Sequence, residues 1–376
     1  MHAQLQQALR QAKQQRQQLQ QWRQVRCSDE QLLDFCSNDY LGLRHHPQVI
    51  KAYCEGLKNY GAGSGASPLV SGFQRPHRYL SERLAEWLER EAVVLFSSGF
   101  AANHSILTSL GSHYQQLLLD RLCHASLLDG AQASDCRWRR FSHNDSDAAA
   151  RYADQHAATL LVTESIFSMD GDHASIAELV RACPQADCLV DDAHGIGILG
   201  EGGRSCAGQF SAAEVDYLTI TFGKAFGVGG AAIACSFEVA EHLHNFSREL
   251  VYSTAFAAAQ AQAINAALTI IQTAEGQALR DALQQNVEYF DALCQQYGLP
   301  ITRQPAAIQI LQLGAESSAL GVSEFLRQHG IDCRAMRPPT VPAGQSRLRI
   351  VLSARHQSQQ IKHLVEAIAA ALEQAG

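Results

Sequence analysis

The chain has no excess of positive charge: 30 Lys and Arg stand against 37 Asp and Glu over 376 residues, a net charge of −7. That leaves too few cations to neutralise a run of phosphates, which excludes nucleic acid as a partner. Long apolar runs are also missing. The longest, around residues 255–271, is broken by Gln260, Gln262 and Asn265, so no membrane span is expected. CxxC pairs are absent from the eleven cysteines, whose closest spacing is Cys183 to Cys188. That spacing fits neither a zinc knuckle nor a dithiol redox site, so reduced cysteines used as small core residues are expected. The first residues, MHAQLQQALRQAKQQRQQLQQ, lack the apolar centre of a secretory signal. Together with reduced thiols, this gives the expectation of a cytoplasmic protein. What is present is ordinary for a folded enzyme-sized chain: 46% hydrophobic and 18% charged residues.

Residues 1–24 contain eleven glutamines, yet Leu5, Leu9, Ala12, Leu19 and Trp22 share one helical face. An amphipathic helix docked on the body is expected there. From 92 to 236 short β-rich runs alternate with helical segments: AVVLF (92–96), QLLLD ending at Asp120, ATLLVTE (158–164), DCLVDD (187–192), YLTITF (217–222) and GAAIAC (230–235). Such alternation predicts an α/β fold with a mostly parallel sheet covered by helices on both faces. Helical segments over 256–297 lead to runs at 308–313, 331–336 and 346–352 and a last helix from 356, which predict a smaller α+β domain. The expected division is an arm at 1–40, a large domain at 41–272 and a C-terminal domain at 273–376.

Chemistry is expected at the carboxyl ends of the strands, where ligands of open α/β sheets collect. LVDDAHG (189–195) ends a buried strand in two carboxylates and a histidine. Two acids there are costly to bury unless something cationic meets them. No further His, Asp or Glu cluster has the spacing to complete a metal site, so no metal is expected. Gly195, Gly197 and Gly200 form a GxGxxG, but DDAH separates them from the strand and no helix-forming sequence follows. That context argues against a dinucleotide fingerprint and leaves NAD chemistry as a rival reading. In TITFGKAFGVGG (219–230), Lys224 sits among glycines just past another strand. Glycines let a planar group approach the backbone, and a desolvated lysine becomes a nucleophile. The following Ala rules out a Walker A loop. In FSSGFAAN (96–103) a strand ends in small residues where a helix begins, so free N–H groups and the helix dipole can take a phosphate. His124 lies at a further strand exit. A phosphate pocket, a lysine for a carbonyl group and an acid for a pyridine nitrogen together describe pyridoxal phosphate.

The ordered motifs SNDYLGL (37–43), SGFAAN (98–103), HASLLDG (124–130), TESIFSMDGD (163–172), DDAHGIGILGEGGR (191–204), TFGKAFGVGG (221–230), YSTAF (252–256) and RPPTVPAG (337–344) resemble the α-oxoamine synthases. The likeness runs from about residue 30 to the end. It implies PLP fold type I, like aspartate aminotransferase, in a homodimer with sites at the subunit interface. It implies Lys224 as the Schiff-base lysine, Asp191 on the pyridine nitrogen, His194 on the ring hydroxyl and His124 against the ring face and the substrate. Gly99 and Phe100 would place backbone near the cofactor, Ser168 and Thr221 would reach its ring oxygen or phosphate, and Thr254 would contact a phosphate across the dimer. Asn38 and Arg337 would face the amino acid, and Thr340 the acyl chain.

RPPTVPAG and SxFSMDGD look most like the members that condense L-alanine with pimeloyl-CoA, or pimeloyl-carrier protein, in biotin biosynthesis. Siblings using glycine or serine with another acyl-CoA are the alternative. A PLP-fold protein that has lost catalysis is a third reading, opposed by the presence of Lys224, Asp191, His194 and His124. Those biotin-pathway members carry an arginine on the N-terminal helix. Here neither Arg16 nor Arg23 aligns with it without a gap.

Overall fold

The computed structural model describes residues 2–301 and 303–375. In chain order the strands are β1 (Leu33–Asp34), β2 (Ala92–Phe96), β3 (Gln116–Asp120), β4 (Trp138–Phe141), β5 (Thr159–Glu164), β6 (Asp187–Asp191), β7 (Tyr217–Thr221), β8 (Ala231–Cys235), β9 (Ile308–Gly314), β10 (Ile331–Asp332), β11 (Ala335–Met336) and β12 (Ser346–Val351). The helices that matter here begin with α1 (His2–Gln18), α2 (Pro47–Tyr60), α3 (Arg75–Leu88), α4 (Gly99–Leu110) and α5 (Ala125–Ala133).

A seven-stranded sheet in the order β2-β8-β7-β6-β5-β3-β4 forms the centre. Its strands are parallel except β8, which runs against both neighbours. The central strands are apolar on both faces because helices cover both. Leu218 and Ile220 of β7 point into one core cluster, while Tyr217 points into the other. Each fully buried leucine here is worth about 2–5 kcal/mol against truncation to alanine. The sheet matches the sequence expectation. Edge strand β4, whose sequence WRRF reads as surface, was not anticipated.

The parallel strands bring their carboxyl ends into one row, so Asp120, Glu164, Asp191 and Thr221 end β3, β5, β6 and β7 side by side. Beyond the large sheet, β11, β12 and β9 make a three-stranded sheet. A short parallel pair joins Leu33 to Ile331 and Asp34 to Asp332, tying the chain's beginning to its last third.

The amino-terminal helix corrects one expectation. Helix α1 forms, but it is not docked: Leu5 is 57% and Leu9 61% exposed. Its two leucines bury too little apolar area to hold a glutamine-rich helix against this chain's own surface.

Candidate active site

Lys224 opens the turn after β7, beside a cavity of about 310 Å³ at the carboxyl edge of the large sheet. Of the residues singled out in the sequence, this cavity collects Asn38, Gly99, Phe100, His124, Asp191, His194, Thr221 and Lys224. They come from five separate segments and meet because parallel strands end in register. Burial lowers the pKa of the Lys224 ammonium, against the pull of Asp191 and Glu164. An amine that sheds its proton more readily is the nucleophile and base such a site needs.

Asp191 and Asp192 part company. Asp191 faces the cavity, its Oδ2 accepting from Asn103 Nδ2 at 2.6 Å and its Oδ1 from the Ala193 N–H at 3.0 Å. Asp192 turns away and accepts from Ser205 Oγ at 2.7 Å, and burial pushes its pKa up to about 7. Helix α4 therefore serves the site twice. Its first turn offers free N–H groups beside Ser98, the N-cap, and its Asn103 orients the Asp191 carboxylate. Gly99 is required there: a Cβ would lie 2.7 Å from Thr221 Cγ2.

His194 is buried at the cavity wall, and burial drives its pKa well below the usual value, with Lys224 and Arg349 acting the same way. Tyr40, whose hydroxyl lies 2.6 Å from His194 Nδ1, has its own pKa pushed up to about 12 by burial. The phenol keeps its proton and reaches two neighbours, Asn38 Oδ1 at 3.2 Å and His194 Nδ1, so the three side chains hold one another in place. His124 caps α5, its Nδ1 lying 2.7 Å from Ser126 Oγ, and burial lowers its pKa while Asp191 opposes the shift.

Four expected residues lie outside this cavity. Thr254 lines a separate small cavity with Ser97, His77 and Phe256. Ser168 is adjacent, but through its carbonyl, which accepts from Arg349 Nε at 2.5 Å. Arg337 borders a groove with Trp22 and Arg26, and its Nη1 donates to the Gln20 carbonyl. Thr340 Oγ1 accepts from Arg23 Nη2 at 2.5 Å. Arg23 thus comes into the acyl-chain neighbourhood expected of Thr340, whereas Arg16 lies on α1, whose sequence runs only to Gln18.

The sequence reading missed Arg349, Glu164, Tyr40 and Asn103. Arg349 is 5% exposed, and its Nη2 donates to Asn38 Oδ1 at 3.0 Å. Among the described residues no carboxylate forms an ion pair with it, while its neighbour two residues back, Arg347, pairs with Asp170 at 2.6 Å. The available signal was an SRLRIV strand with arginines at alternate positions, two charges on the face of a buried strand.

The GxGxxG glycines have another explanation. A Cβ on Gly195 would sit 2.2 Å from Asp192 Oδ1, and Gly200 leads into a three-residue turn, Glu201–Gly203, rather than a helix. Among the described residues no group of three or more His, Cys, Asp or Glu could hold a metal, and no helix is long and apolar enough to cross a membrane.

Comparison with known proteins gives the family. The aminotransferase class I and II family matches residues 30–368. A curated 8-amino-7-oxononanoate synthase from Citrobacter koseri is 46% identical over 346 residues, covering 91% of this chain and 90% of that one. The 8-amino-7-oxononanoate synthase structure from Francisella tularensis superposes with a TM-score of 0.81 at 27% identity, over 92% of this chain and 99% of that one. The serine palmitoyltransferase of Sphingomonas wittichii gives a TM-score of 0.87 at 26% identity, over 92% and 88%. A further serine palmitoyltransferase structure, described with PLP as an internal aldimine, gives 0.87 at 25% identity over the same shares. The chain therefore belongs to the aminotransferase class I and II family, among the 8-amino-7-oxononanoate synthases.

Proposed function

We propose that the chain condenses L-alanine with a pimeloyl thioester, releasing CO2 and the thiol and giving 8-amino-7-oxononanoate. The observation that carries this is the convergence of Lys224, Asp191, His194 and His124 on one cavity in a chain 46% identical to a synthase of that name. Serine palmitoyltransferases share the fold at only 25–26% identity, so serine and a long acyl chain are the weaker substrate pair.

The residues fit pyridoxal phosphate. Asp191 is a buried, doubly hydrogen-bonded carboxylate facing the cavity, as a cationic ring nitrogen requires. The first turn of α4, crowded against Thr221 so that only glycine fits at 99, offers N–H groups to a phosphate. Lys224 would hold the carbonyl carbon, His194 the ring hydroxyl, and His124 the ring face. Pyridoxal phosphate, when bound, supplies an electron sink for the negative charge that develops on the alanine Cα.

The chain's own groups do the rest. Arg349 and Asn38 grip the alanine carboxylate, a role the sequence reading gave to Arg337. A buried guanidinium without a carboxylate partner is ready for a bidentate one. The Lys224 amine takes the Cα proton at Nζ and later returns one. His124 donates to the thioester oxygen as it gains charge. Arg23, Arg337 and Thr340 line the path of the acyl chain, where guanidinium groups suit its terminal carboxylate.

The working form is a homodimer in the cytoplasm, in which Thr254 and Ser168 approach the cofactor when the partner is in place. The donor is pimeloyl-CoA or pimeloyl-carrier protein. The arm, large domain and small domain divide near residues 40 and 272. Supporting the dimer, Leu69, Val70, Phe73 and Tyr252 stand exposed, and Phe73 lines the same small cavity as Thr254.

The test is thiol release from pimeloyl-CoA by PLP-loaded protein, with L-alanine, glycine and L-serine in parallel. Release confined to L-alanine is expected. Release with glycine or serine alone would overturn the substrate assignment.

A further inference from the structure

Two carboxylic acids, not one, look into the cavity. Glu164 ends β5 as Asp191 ends β6, and the two are register partners across adjacent parallel strands. Partners in register project to the same face of a sheet about 5 Å apart. Both line the cavity, and Glu164 is 2% exposed.

Their support differs. Asp191 receives two donors, and Asp120, at the end of the next strand but one, receives the N–H groups of Leu122 and Asn144 and the His143 ring. Glu164 receives one: the backbone N–H of His124 donates to Oε1 at 2.5 Å, and among the described residues Oε2 has no partner. The titratable groups around it are Asp191 on β6, Asp120 on β3, Lys224 after β7 and the Cys123 thiol beside His124. None of the described cations forms an ion pair with it. A buried carboxylate with one donor and an anion beside it is costly; a carboxylic acid in the same place is not. Burial first and Asp191 second act in that direction on its proton affinity.

We propose that Glu164 is a positioning residue of the synthase site: a neutral acid that fixes the His124 backbone through Oε1, offers a proton donor to the cavity through Oε2, and leaves Asp191 as the charged carboxylate facing the cofactor. This inference rests on the pyridoxal phosphate reading of the site. Its consequence is that charge at position 164 is dispensable while the hydrogen-bonding shape is not. Glutamine reproduces the shape, with Oε1 for His124 and Nε2–H for the cavity. Leucine fills the volume and supplies neither.

Purified protein freed of cofactor is titrated with pyridoxal phosphate, and the visible absorption is followed from about pH 6 to 10, where an imine to lysine changes its protonation. Failure of the wild-type protein to develop that absorption would count against the cofactor reading itself, whatever the variants do. Given a normal wild-type response, Glu164→Gln should keep the midpoint within about 0.3 unit, because no charge has been removed. A downward displacement of about one unit or more would mean that an ionised Glu164 had been holding the imine proton, and would overturn the proposal. Glu164→Leu should lose turnover about tenfold or more relative to Glu164→Gln, with weaker cofactor binding. Equal turnover and equal cofactor affinity in the two variants would also overturn it. Should the leucine variant not fold, the midpoint of the glutamine variant still decides.

Discussion

Arg349 Nη2 lies 3.0 Å from Asn38 Oδ1, although 311 positions separate the two residues in sequence. The contact sets Arg349 against Asn38, which lines the cavity. Arg349 is buried and, among the described residues, has no ion pair, whereas Arg337 stands in a different groove beside Arg23.

Two substitutions should separate those arginines. Arg349→Lys keeps the charge but loses the planar fork, and is expected to raise the KM for L-alanine by about tenfold to a hundredfold. Arg337→Met should leave that constant within about threefold and raise the KM for pimeloyl-CoA instead. Steady-state kinetics with each substrate varied would reveal the opposite pattern if Arg337 held the alanine.

Lys224→Ala should remove the amine proposed both to anchor the cofactor and to move the Cα proton. Borohydride treatment followed by dialysis is expected to leave cofactor on the wild-type protein and none on the variant. Turnover should fall by about three orders of magnitude or more. Wild-type turnover in the variant would remove Lys224 from the mechanism.

The sheet and the cavity floor were legible in the sequence because both follow from strand ends. Parallel strands read as short apolar runs, and whatever polar residue closes each run lands on one edge, so Asp191, His194 and Lys224 announced themselves. Arg349 did not, because it sits within an apolar run of a different sheet, and strand registry across 311 residues is not written locally. Glu164 was passed over as the last letter of ATLLVTE, and Tyr40 inside SNDYLGL was given no role. Arg337 came from the likeness of RPPTVPAG to the family motif, and a motif fixes a place in the sequence but not what the side chain meets. Helix α1 carried an apolar stripe without information about what lies opposite it.

Gly99→Ala tests the phosphate cradle. A Cβ at 2.7 Å from Thr221 Cγ2 requires the first turn of α4 or the end of β7 to move. The affinity for pyridoxal phosphate, read by quenching of protein fluorescence, should fall by about tenfold or more, while thermal stability drops by about 1–3 kcal/mol. Unchanged cofactor affinity would mean that the cradle lies elsewhere.

His143 supplies a pH dependence of stability. Burial works against its charged ring, but the hydrogen bonds to Asp120 at 3.0 Å and Asp172 at 2.7 Å outweigh it and push the pKa from 6.5 up to about 10. A raised folded-state pKa means that the folded protein holds a proton the unfolded chain releases. The stabilisation is therefore complete below about pH 6.5 and disappears as pH rises through 10. Thermal melting at pH 7 and pH 10 should show a larger loss for the wild-type protein than for His143→Gln. Equal losses would show that the ring is not charged in the folded state.

The pairing of residues 33–34 with 331–332 also fixes when the cavity can be completed. Asn38 follows directly from that pairing, and its partner Arg349 lies on a strand made near the end of synthesis. A growing chain can already carry Lys224, Asp191 and His194 at the edge of the large sheet while the wall meant for the carboxylate is still unmade. On the roles proposed above, a chain that stops before residue 349 carries the residues meant for the cofactor without the arginine meant for the amino acid.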